Sequence, residues 1–251
     1  MEKIYRFDES LHLHQLKVKG VWKSLTGCTT VLGVIAKPAL IAWSSKMATE
    51  YIKNNAPMIE DNDVVGYFVT EDVLQEAKNA HNLRKTDAGC VGTKIHKDIS
   101  NIIEKAIKES KGKIPKKIKV ITPAEKAFCE WAIYNDIKFL ETEKNVYSKK
   151  MFTGGIIDII FELDKKIWIG DIKTSKSGIY PENFFQCAGY DLMLSTMSSY
   201  KEIEGYVILN IKENGSFTEK RKERVGNHAC RKQNMHAHKS RKKRGHHNRL
   251  F

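Results

Sequence analysis

The stretch GGIIDIIFELDKKIWIGDIKTS, residues 154–175, sets Asp158 inside one apolar run and closes the next run with Asp171 and Lys173. Burying a carboxylate without a partner is costly, so these charges need a use. Side chains two apart on a strand share a face, which puts Asp171 and Lys173 together with Ile167 and Ile169 and turns Ile172 the other way. A tight turn near 164–166 would lay the Asp158 strand against the Asp171 strand. Two carboxylates and an amine would then converge. Carboxylate oxygens suit Mg²⁺, a hard ion that keeps several waters. Such an ion can activate a water and offset charge building on a phosphate, and a neighbouring lysine can orient that water or stabilise the charge.

The elements that must position these residues can be read from periodicity. Residues 143–151, 156–163 and 166–173 are rich in β-branched and aromatic residues and predict an antiparallel three-strand meander. The segment TPAEKAFCEWAIYNDIKFL predicts a helix before it, with Thr122 as N-cap, Pro123 at the first position and Glu125 completing a capping box. YPENFFQCAGYDLMLSTM predicts a helix entered at Pro181, and IEGYVILNI a last strand. Upstream, residues 3–20 suit a β-hairpin. A Thr-rich loop holding Thr29 and Thr30 leads to a helix with Pro38 in its first turn, and 57–69 read as a loop. A polar helix starts at Thr70 and runs to about 86. A second, amphipathic helix carries Ile95, Ile99, Ile102, Ile103 and Ala106 on one face. Residues 111–119 form a Lys-rich loop. The fold class is therefore mixed α/β, or α+β, in one domain spanning 1–218.

Composition narrows the setting. The 251 residues suffice for a sizeable core, and 41% are hydrophobic, so most of the chain should fold. No apolar stretch approaches a membrane span, and MEKIYRFDES lacks the apolar centre of a secretion signal. Cys28, Cys90, Cys129, Cys187 and Cys230 include no C-x-x-C pair, which predicts a reducing, cytoplasmic setting and no zinc ribbon. The net charge is +13, but residues 219–251 hold 12 Lys and Arg against 2 Asp and Glu, or +10, leaving +3 for residues 1–218. That basic, His-rich tail has no apolar periodicity and is expected to be disordered. Its histidines lack metal-site spacing. It would hold phosphates non-specifically.

Asp158, twelve intervening residues and then Asp171-Ile172-Lys173 resemble the motif of the PD-(D/E)XK nuclease superfamily. GTKIH at 92–96, GGIID at 154–158 and QCAGY at 186–190 resemble, in order, the histidine helix, the G-x-I-D signature and the Q-x-x-x-Y motif of its RecB-type branch. The N-terminal TGCTTVLGVIAKPALIAWSSKMA is similar to phage-type exonucleases of that branch, which include relatives of a mitochondrial genome-maintenance exonuclease. The likeness covers roughly residues 20–211. It implies a restriction-endonuclease-like core, a central mixed sheet flanked by helices. The implied activity is a Mg²⁺-dependent DNA exonuclease, with Mn²⁺ substituting, serving phage or bacterial replication, recombination or repair. DNA with free ends, single strands included, would be the substrate. Carried over by position, the metal ligands would be His96, Asp158, Asp171 and the Ile172 backbone carbonyl, and Lys173 the catalytic lysine. Gln186, Tyr190, Glu143 and Thr93 would support the site or touch DNA. Some relatives hold an iron–sulfur cluster on one upstream and three late cysteines. Here only Cys230 lies beyond Cys187, so no cluster is expected. The tail departs from the family, which has a closing helix there; a divergent or frameshifted end would account for it. An endonuclease on the same core, a nucleic-acid-binding protein without catalysis and a non-nuclease metal enzyme are the other readings of these residues.

Overall fold

The computed structural model describes residues 4–35, 38–61, 64–116, 118–197, 200 and 202–224. The N-terminal segment forms a three-stranded antiparallel sheet, β1 (Tyr5–Asp8), β2 (Leu13–Val18) and β3 (Val21–Ser24), one strand more than the expected hairpin. Next come β4 (Thr26–Gly27), a short helix α1 (Cys28–Leu32) and α2 (Pro38–Asn55). Thr29 and Thr30 thus lie in a helical turn rather than a loop. Residues 57–69 are not a loop either: β5 (Met58–Asp61) and β6 (Val64–Tyr67) pair as an antiparallel hairpin.

The two helices expected over 70–110 are one, α3 (Glu71–Ser110), 40 residues long. Thr70 caps it, its hydroxyl accepting from the Val73 N–H, and Lys111 ends it in the left-handed conformation. Asp87, Gly89 and Gly92 suggest a break, but a glycine inside a helix costs only about 1 kcal/mol. Gly92 is also needed: a Cβ there would lie 2.8 Å from the Thr174 hydroxyl oxygen, so its absence lets the helix approach the end of the Asp171 strand. Downstream, α4 (Pro123–Tyr134) starts as expected, the Thr122 hydroxyl accepting from the Glu125 N–H. The Glu125 carboxylate reaches back one residue further than a capping box requires, to the Ile121 N–H at 2.6 Å. The helix ends earlier than its apolar pattern suggests, and residues from 138 onward join the sheet.

That sheet contains β7 (Lys138–Ser148), β8 (Thr153–Leu163), β9 (Lys166–Lys173), β10 (Gly205–Ile211) and β11 (Phe217–Glu223), with α5 (Pro181–Thr196) crossing between β9 and β10. Its order is β11-β10-β9-β8-β4, with β7 on the other edge of β8. The meander β7-β8-β9 is antiparallel, and β9 and β10 run parallel. Asp164 and Lys165 both take positive φ in the two-residue β8–β9 turn, as a primed hairpin turn demands. The first meander strand spans 138–148 rather than 143–151. The strand over Gly205–Ile211 is not the last: β11 carries the fold past the boundary drawn at 218, to residue 223. The rest of the basic tail, from 225, lies outside the described residues. β11 pairs fully with β10 despite its charge, because an edge strand needs only one packed neighbour and its lysines discourage a second.

The sheet is covered on both faces. On one, Ile95, Ile99 and Ile103 of α3 and Phe128 and Trp131 of α4 pack on Phe139, Phe161, Ile172 and Val207. On the other, Phe184, Cys187, Tyr190 and Met193 of α5 pack on Ile157, Ile160, Ile169 and Ile208. The result is a mixed central sheet flanked by helices, as expected at that level of detail. Among the described residues, no helix is long and apolar enough to cross a membrane.

Candidate active site

The strand β8 is held along only parts of one side. Residues Ile159–Leu163 pair with β9 and Thr153–Gly154 with β4, which leaves Gly155–Asp158 between them without a strand partner on that side. Alternation also breaks there: Ile157 packs under α5, whereas Ile159, two residues on, packs under α3 and α4. Asp158 sits at this break. Its Oδ2 accepts the Ile172 N–H at 2.7 Å, so the carboxylate replaces the missing ladder bond and ties the two strand ends together.

The facing strand β7 is irregular at the same level. Its register with β8 shifts between Phe139 and Glu141, and Glu143 has φ +49°, a left-handed conformation unusual for glutamate in a strand. This turn of the backbone presents the Glu143 carboxylate beside Asp158. His96 comes from α3, its Nδ1 3.7 Å from Asp158 Oδ2. One ligating atom from each of His96, Glu143 and Asp158 lies within 4.8 Å of the others, the one such group among the described residues. Two of the residues expected as ligands are brought together here. His96 and Asp158 converge as expected, but the third member of this group is Glu143, given only a supporting role from the sequence, and not Asp171. The Ile172 carbonyl lies against the His96 ring, where it favours the protonated imidazole.

Asp171 instead pairs with its strand neighbour. Lys173 Nζ donates to Asp171 Oδ1 at 2.8 Å and lies 2.7 Å from Oδ2, yet no donor is aligned with that second oxygen. Asp171 is 1% exposed, so Oδ2 is a buried acceptor left without a hydrogen bond. Lys173 also donates to Gln186 Oε1 at 3.2 Å, and Gln186 Nε2 donates to the Tyr190 hydroxyl at 2.7 Å. The four-residue spacing on α5 thus builds a relay from Tyr190 through Gln186 to the lysine. Gly155 makes room for it: a Cβ there would lie 2.5 Å from Tyr190 Cε1. Thr93 is exposed on α3 and is not drawn into this network.

The electrostatics are those of crowded acids. Burial, then Asp158 and Glu104, push Glu143 up to about 7. Burial also raises Asp171, to about 7, against the pull of Lys173, and raises Asp158 against Lys173 and the Ile172 N–H. Burial and then Lys173 lower His96. Burial opposes the Lys173 charge, but Asp171 and Asp158 outweigh it and hold its pKa above the ordinary value. Acids that resist ionisation and an imidazole kept neutral both fit a site for a cation. Two carboxylates and one imidazole form a donor set that suits Mn²⁺ or Mg²⁺.

A stability measurement follows from these shifts. A carboxyl whose folded pKa is raised stabilises the protein while it holds its proton, and that contribution is lost as pH rises through the folded value. The lowered histidines, His96 and His14 (about 4), act in the opposite sense below their unfolded value near 6.5. Near pH 6.5 the unfolded histidines are still half protonated and their loss of protons raises stability, so the contribution of the acids must be read by difference. Relative to an Asp171→Asn variant, in which the histidines titrate alike, the metal-free protein should therefore lose about 1 kcal/mol between pH 6.5 and 8, or ~3 °C in melting temperature. Mn²⁺ or Mg²⁺ should reverse the slope, because a ligand set binds metal only once deprotonated. A pH dependence of melting temperature across this window no different from that of Asp171→Asn, with and without metal, would contradict the assignment of Asp171 as a raised acid beside the site.

Ser100, Thr142 and Asn210 escaped the sequence reading. Asn210 is buried on β10 beside Lys173, and its amide donates to the Ser175 carbonyl at 2.9 Å, fixing the chain just beyond the lysine. Only its position in a buried strand, where a polar residue needs a reason, could have marked it. Compared with known proteins, the chain matches no family model, and no curated protein is significantly similar to it.

Proposed function

We propose that this protein is a divalent-metal-dependent DNA exonuclease that hydrolyses phosphodiester bonds on a restriction-endonuclease-like core. The observation that carries the reading is the convergence of Asp158, His96 and Glu143 at the break in β8 beside the Asp171–Lys173 pair, in the order and spacing that resemble the PD-(D/E)XK nucleases. His96, Asp158 and Glu143 would hold the metal, with the Asp171–Lys173 pair beside them. The metal would supply a water activated at neutral pH and positive charge beside the phosphate.

The protein's own groups do the rest. Asp158 orders the strand ends by accepting the Ile172 N–H, which keeps the Ile172 carbonyl beside His96. Lys173 stays protonated between two carboxylates and can donate to a phosphate oxygen or to the attacking water as charge builds. Gln186, held by Tyr190, keeps the amine aimed by accepting one of its protons. With one proton on Asp171 and one on Gln186, the third remains for substrate.

Incubation with end-labelled linear single-stranded and double-stranded DNA and with closed circles, with Mg²⁺ or EDTA, tests the reading. Mg²⁺-dependent release of short products from linear DNA, with circles spared, is the expected result. Cutting of circles would assign an endonuclease on the same core. No cleavage of any DNA with Mg²⁺ or Mn²⁺ would overturn the enzyme reading and leave a nucleic-acid-binding protein.

A further inference from the structure

The Asp158 backbone is held by a second contact, which carries its own inference. Thr142 Oγ1 lies 2.9 Å from the Asp158 carbonyl oxygen and 3.2 Å from Ser100 Oγ. A carbonyl can only accept, so the Thr142 hydroxyl must spend its single proton on Asp158. The contact to Ser100 then has one possible direction, with Ser100 donating to Thr142. The chain Ser100 → Thr142 → Asp158 joins three elements, α3, β7 and β8. Each carries one member of the metal-ligand group. Ser100 stands one helical turn after His96, Thr142 directly precedes Glu143, and Asp158 supplies the accepting carbonyl itself.

We propose that Ser100 and Thr142 are positioning residues for the metal site, setting the distance between the helix that carries His96 and the two strands that carry Glu143 and Asp158. This rests on the metal-site reading above. Thr142 has a second task. The positive φ of Glu143 is strained for a residue with a side chain, and such a conformation persists only where its neighbours over-determine it. Thr142, anchored on one side to α3 and on the other to β8, fixes the backbone immediately before Glu143. Removing the hydroxyl would let Glu143 relax to ordinary strand geometry and carry its carboxylate away from Asp158. Replacing Thr142 by valine keeps the volume and branching and deletes only the hydroxyl, which also leaves the Ser100 hydroxyl without its acceptor.

The test is Mn²⁺ binding to the DNA-free protein, followed by the loss of the free-ion electron paramagnetic resonance signal, alongside thermal unfolding. Thr142→Val should weaken Mn²⁺ binding about 10-fold, the lower range for partners that orient metal ligands. Ser100→Ala should weaken it less. The double variant should be no worse than Thr142→Val alone, because the two act in one chain. Thr142→Ser keeps the donor and should restore affinity, which a purely packing role would not predict. Wild-type affinity in Thr142→Val would overturn the positioning role, as would failure of Thr142→Ser to recover it. If the wild-type protein itself binds no Mn²⁺, the metal-site reading fails instead, and the two failures are distinguishable.

Discussion

Lys173→Ala should cleave DNA at least 10³-fold more slowly than the wild type while binding Mn²⁺ almost as well. The lysine touches both Asp171 oxygens and Gln186 and is no metal ligand. Its loss should therefore fall on turnover, as removal of a group used in the transition state does, with little change in metal half-saturation. The substitution also strips Asp171 of the cation it pairs with. A buried charge left unpaired costs roughly 3–5 kcal/mol, unless the group takes up a proton. Asp171 is already raised, so the variant should escape most of that cost by keeping its proton, and should unfold more easily as pH rises. Asp171→Asn combined with Lys173→Ala removes the stranded acid and should regain stability without regaining activity. Measurement of rates, Mn²⁺ affinity and unfolding for the single and double variants separates chemistry from folding. A Lys173→Ala protein cleaving at near the wild-type rate would remove the lysine from the mechanism.

The parts of this site that could be read from the sequence are those built from strand and helix periodicity. Asp171 and Lys173 are two apart on one strand, and they share a face. Gln186 and Tyr190 are four apart on one helix, and they hydrogen-bond. Pro123 and Pro181 open helices because a missing N–H costs nothing in a first turn. What resisted reading depends on departures from periodicity. Glu143 reaches the metal group only because β7 shifts register near Leu140 and Glu143 takes a left-handed turn. Neither bears a signal such as glycine or Asn-Gly. The break of alternation at Asp158 is likewise invisible in an apolar run where both faces are buried. The single helix over Glu71–Ser110 was obscured by Gly89 and Gly92, which read as punctuation locally, although Gly92 serves packing against Thr174. The strand Phe217–Glu223 was hidden by its charge, since an edge strand exposed on nearly every residue has no amphipathic pattern.

Asp158→Asn should abolish cleavage by a different route, through the metal, and comparison with Asp158→Ala should show that the residue holds two roles. The carboxylate is both a candidate ligand beside His96 and Glu143 and the acceptor for the Ile172 N–H. Asparagine keeps a carbonyl oxygen that can still accept that N–H, but it is a weak, neutral donor to a divalent cation. Mn²⁺ affinity should fall by more than the 10–100-fold lost when an outer partner is removed. Cleavage should fall on the order of 10³-fold or more at any attainable Mg²⁺ concentration. Metal-free stability should hold or rise, because a raised, crowded acid has been replaced by an amide and Glu143 and Asp171 lose a repelling neighbour. Alanine removes the acceptor as well. The Ile172 N–H, in a residue only 2% exposed, then lacks a partner, at a cost of about 1–3 kcal/mol. Asp158→Ala should thus be as inactive as Asp158→Asn but less stable by that amount. The Ile172 carbonyl, no longer held beside His96, should weaken residual metal binding further. Equal melting temperatures for the two variants would show that the Asp158–Ile172 bond does not hold the strand ends together. Metal affinity unchanged in Asp158→Asn would remove Asp158 from the ligand set.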